Sequence, residues 1–410
     1  MRQIVTHFTD NDLYTFTCMY YIMQNYPRAE VRYQFFDRNN TVYPSGFAKL
    51  LQEQINGLAG VAMTQQECDF MRSKCYFLPD WFFTFLMGYR FNPNEVSISQ
   101  DDSGHLSVTI RGKWWSTIMW EMPILSTISE LMHEINGDLA KVDISREWEK
   151  AYQKAEKMLK NGVKWADMGT RRRFSFQVQE KVIDAFMSAV NTVGEYTGRF
   201  NGTSNVYFGM KYNIPVIGTM SHQICSAEEC VSGIHECNYQ LMEKWRKTYG
   251  GSLGIYLPDC FTSNMCLNNL SLDMAKLYDG PRIDSGDNKE EMIKFMNKYI
   301  ELGVNPATKS IVFSNALTVN DAIELHKWVD GRMNDSYGIG THLMADVTNT
   351  ESGENFPYSN IVIKPTGFRI TEKRSWLEAV KISNDTGKML GDKTKCEYLK
   401  QVIESSTKKS

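Results

Sequence analysis

From about residue 135 to residue 365, short apolar runs keep alternating with longer amphipathic stretches. This rhythm constrains the fold of the 410-residue chain more than any other feature. The apolar runs are residues 165–169, 215–218, 253–257, 282–284, 310–313, 337–339 and 360–363. Helical periodicity marks residues 175–193, 227–247, 289–302 and 319–329 between them. Strands alternating with helices need crossover connections, so they form a mostly parallel sheet. Roughly seven such units suit an irregular α/β barrel better than a small doubly wound sheet. No GxGxxG follows an early strand, so the dinucleotide fingerprint is absent.

Residues 1–135 have a different character and predict a separate mixed α/β domain. Residues 10–25 carry a helical pattern behind Thr9 or Asp10 as N-cap. Residues 31–36 and 96–98 alternate like strands, and 106–111 follows the turn Asp102-Ser103-Gly104 as the second arm of a hairpin. Residues 124–135 return to helical spacing. The barrel is expected over 136–400, and 401–410, ending in SSTKKS, as a loose tail.

Composition excludes several classes. A 42% hydrophobic and 23% charged chain is ordinary for a globular protein. Lys+Arg 45 against Asp+Glu 48 leaves a net charge of -3, without the basic excess that drives nucleic-acid binding. The start, MRQIVTHFTDND, has no apolar core of signal-peptide length. The most apolar stretch, 76–89, is too short to cross a bilayer and contains Pro79 and Asp80, so it is expected as buried aromatic core. No membrane association and a cytoplasmic location are therefore expected. Nine cysteines without close CxxC pairs favour reduced thiols. His222, Cys225, Cys230, His235 and Cys237 lie close in sequence, but not at zinc-finger spacings.

The residues at the C-terminal end of each apolar run form the informative pattern. The first run leads into Gly169-Thr170-Arg171-Arg172-Arg173, the next into Gly218-Thr219-Met220-Ser221-His222. Then come Asp259, Arg282-Ile283-Asp284-Ser285-Gly286-Asp287, Ser314-Asn315 and Gly338-Ile339-Gly340-Thr341-His342. In a barrel these ends converge on one mouth. The Gly338–Thr341 stretch, as a glycine turn, could cradle a phosphate, with Ser314 and Asn315 as a second wall. Arg171 to Arg173 read either as a solvated basic run or, after a strand end, as anion-binding charge. Arg282 can hold a carboxylate through two parallel hydrogen bonds, or pair with Asp284 or Asp287. Asp284 and Asp287 suit ribose hydroxyls, Mg²⁺ or a cationic sugar centre. His222 is the strongest candidate for covalent phosphoryl chemistry, because neutral imidazole is nucleophilic near pH 7.

An ordered set of motifs extends nearly end to end: FTDNDLYTFTCMYYI, RFNPNEVSIS, MGTRRRFS, FNGTSNVYFGMKYNIPVIGTMSH, RIDSGD, IVFSNALT, YGIGTHL and NIVIKP. Together they resemble the nicotinate phosphoribosyltransferases. The resemblance implies a type II phosphoribosyltransferase fold, an irregular α/β barrel with a mixed α/β domain, usually paired in a homodimer. It implies that nicotinate and 5-phosphoribosyl diphosphate give nicotinate mononucleotide and diphosphate, in NAD biosynthesis, with ATP as co-substrate and Mg²⁺ as cofactor. By position, His222 matches a transiently phosphorylated histidine. Tyr14, Thr219 and Arg282 match nicotinate contacts, and Thr341 matches a phosphate contact. Arg171, Ser314, Asn315, Gly338 and Gly340 are assigned with Thr341 to phosphoribosyl diphosphate, and Asp284 to the cationic transition state. Asn315 and Ala316 depart from an acid common in bacterial relatives. A related enzyme that uses nicotinamide carries Asp where this chain has Ser204; a Ser there removes repulsion of a carboxylate and favours nicotinate. A nicotinamide-type transferase and a phosphate-binding barrel oxidoreductase or isomerase are the alternatives.

Overall fold

The computed structural model describes residues 2–385 and 389–407. Its strands are β1 (Glu30–Asp37), β2 (Val96–Gln100), β3 (Leu106–Lys113), β4 (Lys164–Asp167), β5 (Arg199–Thr203), β6 (Ile255–Tyr256), β7 (Gly280–Ile283), β8 (Ser310–Phe313), β9 (Asn334–Ile339), β10 (Ile361–Arg369) and β11 (Leu377–Glu378). They form two sheets, an antiparallel one ordered β11-β10-β1-β3-β2 and a parallel one ordered β5-β4-β9-β8-β7-β6.

The first sheet buries one face. In β1, Val31, Tyr33 and Phe35 point into the core, with Val108 and Ile110 of β3 beside them. Arg32, Gln34 and Phe36 take the opposite, more open face, as the two-residue period of a strand requires. The helices Leu13–Asn25 and Glu121–Ile135 are almost wholly buried. The second helix lies against β10 and the Arg171 turn, joining the first sheet to the barrel.

The parallel sheet has the architecture of an irregular α/β barrel. Beyond β5, the 215–218 segment adds one parallel bridge, Thr203 to Val216. Past that segment, Thr219 Oγ1 donates to the Ile255 carbonyl of β6 at 2.7 Å. The two ends of the sheet thus meet through a side chain. Gly202 makes this seam narrow: its φ is +119°, and a Cβ there would lie 2.0 Å from the Pro215 carbonyl oxygen.

Several expectations change. The 227–247 stretch is two helices, His222–Ser232 and Cys237–Tyr249, divided at Gly233 with φ +75°. The 360–363 run begins β10, which belongs to the first sheet. Residues 401–407 are the last turns of helix Lys393–Thr407, not a loose tail; 408–410 lie outside the described residues. Within 76–89 only part is core: Phe82, Phe83 and Leu86 are buried, whereas Tyr76 is 82% exposed. Gly338 lies inside β9, so it is not part of a turn. A Cβ there would sit 2.4 Å from the Met168 sulfur.

Candidate functional site

The sharpest geometry surrounds His222, the first residue of helix His222–Ser232. Its Nε2 lies 2.8 Å from Asp259 Oδ1, and its Nδ1 lies 3.9 Å from Asp284 Oδ2. Asp259 is fully buried and its other oxygen accepts from Ser285 Oγ at 2.5 Å. Lys381 Nζ stands 4.0 Å from that same oxygen. Burial and the charge of Lys381 lower the His222 pKa against the opposing pull of Asp259, which leaves the ring neutral at pH 7. Burial alone would raise Asp259, but His222, Lys381 and Ser285 hold its carboxyl far below the usual range. The arrangement is a neutral imidazole oriented by an ionised carboxylate.

Asp284 is partly exposed at the mouth and accepts from Ser314 Oγ at 3.1 Å. The cost of its burial is outweighed by Arg282, His222 and Lys381, so its carboxyl stays below the ordinary value. Asn315 Nδ2 donates to the Gly286 carbonyl at 3.0 Å. The structure therefore brings His222, Arg282, Asp284, Ser314 and Asn315 together on consecutive strand ends. His222, Asp259 and Asp284 are also a set whose ligand atoms all lie within 4.8 Å.

A second group joins the barrel to helix Leu13–Asn25. Tyr14 hydroxyl donates to Glu121 Oε2 at 2.9 Å, and Thr17 Oγ1 donates to the Thr219 carbonyl at 2.6 Å. Ser204 is buried, and its hydroxyl donates to Asp12 Oδ1 at 2.8 Å. The expected removal of negative charge at this position is therefore incomplete. A carboxylate still stands behind Ser204, and burial raises the Asp12 pKa to about 6. The single hydroxyl protons of Thr219, Tyr14 and Ser204 are already donated inside the protein.

Cations link the two groups. Arg171 acts electrostatically on Asp12, Tyr14, Arg38, Arg172 and Lys364. Burial, with Arg171 and Arg38 nearby, lowers Arg172 to about 9. Lys364 is lowered by burial against the attraction of Glu121, with Arg171 and Lys381 adding to the fall. So many cations so close together are stabilised by a polyanion. Arg173 does not belong to this surface. It is fully buried and clasps Asp10 through both terminal nitrogens, at 2.7 and 2.8 Å.

Gly340 precedes the short helix Thr341–Met344 at the end of β9. A Cβ on Gly340 would lie 2.8 Å from the Met168 carbonyl, so glycine is needed there for close packing of β9 on β4. Gly338 lies two residues earlier, inside β9 and packed by Met168.

Residues 163–407 match the nicotinate phosphoribosyltransferase (NAPRTase) family, and residues 9–129 match the NAPRTase N-terminal domain. The chain belongs to the nicotinate phosphoribosyltransferase family. A family relative of that description from Desulforapulum autotrophicum is 36% identical over 403 residues, 96% of this chain and 98% of its own length. A probable nicotinate phosphoribosyltransferase of Schizosaccharomyces pombe is 33% identical over 405 residues, covering 95% of each chain. The crystal structure of the Porphyromonas gingivalis nicotinate phosphoribosyltransferase matches with TM-score 0.92 and 34% identity, over 98% of this chain and all (100%) of that one. Among the described residues, no helix is long and apolar enough to cross a membrane.

The roles of four groups of this site escape a reading of the sequence alone. Asp259 is visible as a strand end, but its bond to His222 is not. Ser285 is hidden inside RIDSGD, and Lys364 inside NIVIKP. Lys381 carries no signal, because nothing in its local sequence separates it from a solvated lysine.

Proposed function

We propose that this chain joins nicotinate to 5-phosphoribosyl diphosphate, releasing nicotinate mononucleotide and diphosphate, with ATP hydrolysis coupled through phospho-His222. The observation that carries this reading is a neutral His222, held at Nε2 by Asp259, with Nδ1 turned to the barrel mouth 3.9 Å from Asp284. In the coupling step the Nδ1 lone pair attacks the γ-phosphorus of ATP. The bond to the bridging oxygen breaks, ADP leaves with that electron pair, and an Nδ1–P bond forms. The ring keeps its Nε2 proton and becomes cationic, and Asp259 balances that charge; water later attacks the phosphorus, the N–P electron pair returns to Nδ1, and inorganic phosphate leaves.

In the transfer step the pyridine nitrogen attacks the anomeric carbon as diphosphate departs. Asp284 faces the developing positive sugar. Arg171, Lys364 and Lys381 receive the negative charge, with Ser314, Asn315, Gly340 and Thr341 assigned to the phosphoribosyl end. Gly338, inside β9 and packed by Met168, could reach that end only through its backbone. Arg282 takes the nicotinate carboxylate between the Tyr14, Thr219 and Ser204 walls. Mg²⁺ would be held by one or two carboxylates together with substrate phosphates. Asp284 is partly exposed at the mouth whereas Asp259 is fully buried, so Asp284 is the carboxylate that would hold it. The ion would neutralise departing diphosphate.

The reading extends to a mixed domain over 1–135 that β10 and β11 complete, a catalytic barrel over the expected 136–400 apart from those two strands, a homodimer, a cytoplasmic location and a place in NAD biosynthesis. It is tested with nicotinate and nicotinamide, each with and without ATP, on wild type and His222→Ala. Nicotinate preference, ATP stimulation in the wild type and loss of that stimulation in the variant are expected. ATP hydrolysis by His222→Ala at the wild-type rate excludes the covalent route, and a preference for nicotinamide makes the chain the related enzyme.

A further inference from the structure

Residues 381–385 leave the first sheet after β11 and cross to the barrel mouth, where they bind two loops at once. Ile382 and Ser383 both donate their backbone N–H to the Cys260 carbonyl, at 3.0 and 3.2 Å. Asn384 Oδ1 accepts from the Ser263 backbone at 2.9 Å, and its Nδ2 donates to Ser263 Oγ at 2.9 Å and to the Ser285 carbonyl at 3.3 Å. Asp385 Oδ1 accepts from the Gly286 N–H at 3.0 Å. Ser383 adopts φ +68°, a left-handed conformation that is unfavourable for a non-glycine residue and persists only when its surroundings impose it.

The segment reaches the catalytic pair through Ser285, which is fully buried and does not face the mouth. Asn384 N–H donates to Ser285 Oγ at 3.3 Å, and Ser285 Oγ donates to Asp259 Oδ2. A hydroxyl has one proton and two lone pairs. With a lone pair met by Asn384, the proton is directed to Asp259. The other Asp259 oxygen is then left for His222 Nε2.

We infer that Ser285 and Asn384 are positioning residues for phosphoryl transfer to His222, and that 381–385 is the strap that fixes them. The terminal torsion of an aspartate is broad. Once Ser285 lets go, the Asp259 carboxylate turns toward Lys381, the imidazole loses its anchor, and either ring nitrogen can face ATP. The strap therefore decides which nitrogen reacts. This inference rests on the proposed ATP coupling.

The test uses the full-length enzyme as wild type, Ser285→Ala, Ser285→Thr and Asn384→Ala. Radiolabelled ATP measures phosphohistidine formation, phosphorus NMR identifies the isomer, and thermal unfolding checks that each variant is folded. A single Nδ1 isomer is expected in the wild type. Labelling about tenfold slower, with mixed Nδ1 and Nε2 isomers, is expected in Ser285→Ala and also in Asn384→Ala, which keeps its backbone N–H but loses the side-chain bonds to Ser263 and Ser285 that dock the strap, with the single isomer regained in Ser285→Thr. A pure Nδ1 isomer in the alanine variants that fold overturns the inference whatever the rate; if Ser285→Ala does not fold, Asn384→Ala decides. An unlabelled wild type removes the covalent reading and this one with it, whereas a labelled wild type confines any failure to the strap.

Discussion

Ser204 Oγ donates to Asp12 Oδ1 at 2.8 Å, in a site from which water is almost wholly excluded. Burial raises the Asp12 carboxyl from 3.8 to about 6, so the fold disfavours its ionised form. Below pH 3.8 neither folded nor unfolded chain is ionised there, and the group costs nothing. Between 3.8 and 6 the unfolded chain releases its proton first, so stability falls as pH rises. Above 6 the cost levels off at about 3 kcal/mol, at 1.36 kcal/mol per pH unit. Asn in place of Asp12 still accepts from Ser204 but never ionises. Asp12→Asn is expected to stabilise the protein by about 2–3 kcal/mol at pH 7.5 and to give little gain near pH 4, measured as the shift in urea midpoint. An equal gain at both pH values excludes this cause.

Arg173 and Asp10 form a bidentate pair with neither side chain exposed. Removing one member strands a buried charge, which costs about 3–5 kcal/mol. Arg173→Met should therefore lower the unfolding midpoint strongly. Arg173→Met with Asp10→Asn should recover part of the loss, because the double variant leaves no lone charge. A single variant with unchanged midpoint refutes the structural role.

The Thr219 hydroxyl closes the barrel seam through the Ile255 carbonyl. Thr219→Val keeps the volume and removes that bond, at a cost of about 1–2 kcal/mol. Because the only hydroxyl proton is already spent, the KM for nicotinate should rise less than threefold, on the order of the weak effect of a lost acceptor. A larger rise in KM without loss of thermal stability would show that the hydroxyl serves the substrate instead.

Arg282 Nε is buried and has no hydrogen-bond partner among the described residues. Its guanidinium therefore has a donor to offer a carboxylate. Arg282→Lys keeps the charge and loses the planar fork. Steady-state kinetics should show kcat/KM for nicotinate reduced about 10- to 100-fold, as expected for a lost charged hydrogen bond of about 1.5–3 kcal/mol. Turnover of nicotinamide should change little. An equal fall for both bases would place Arg282 on a step common to them.

The parallel part is legible where apolar runs stand between amphipathic helices. The 319–329 expectation coincides with Val319–Val329, bounded by a Thr318–Asp321 capping box, and 310–313 coincides with β8. β5 goes unseen because Arg199–Thr203 reads RFNGT: it is polar and has only two buried residues, at its end. The 360–363 run looks like one more barrel strand because a buried apolar run does not say which sheet buries it. His222 and Asp284 stand out because each lies at a strand end. Ser285, Lys381 and Asp12 depend on contacts between segments 26 to 192 residues apart, which no local pattern encodes.

Glu30 of β1 pairs with Arg369 of β10 across nearly the whole polypeptide. During synthesis, β1 leaves the ribosome with one edge covered by β3 and the other bare, until some 330 further residues have been made. An exposed edge of this kind recruits foreign strands. Chains interrupted before β10 are thus complete in most of their barrel strands and still open to aggregation. Late release of a single strand, rather than slow growth of the barrel, sets the hazardous interval in the life of a newly made molecule.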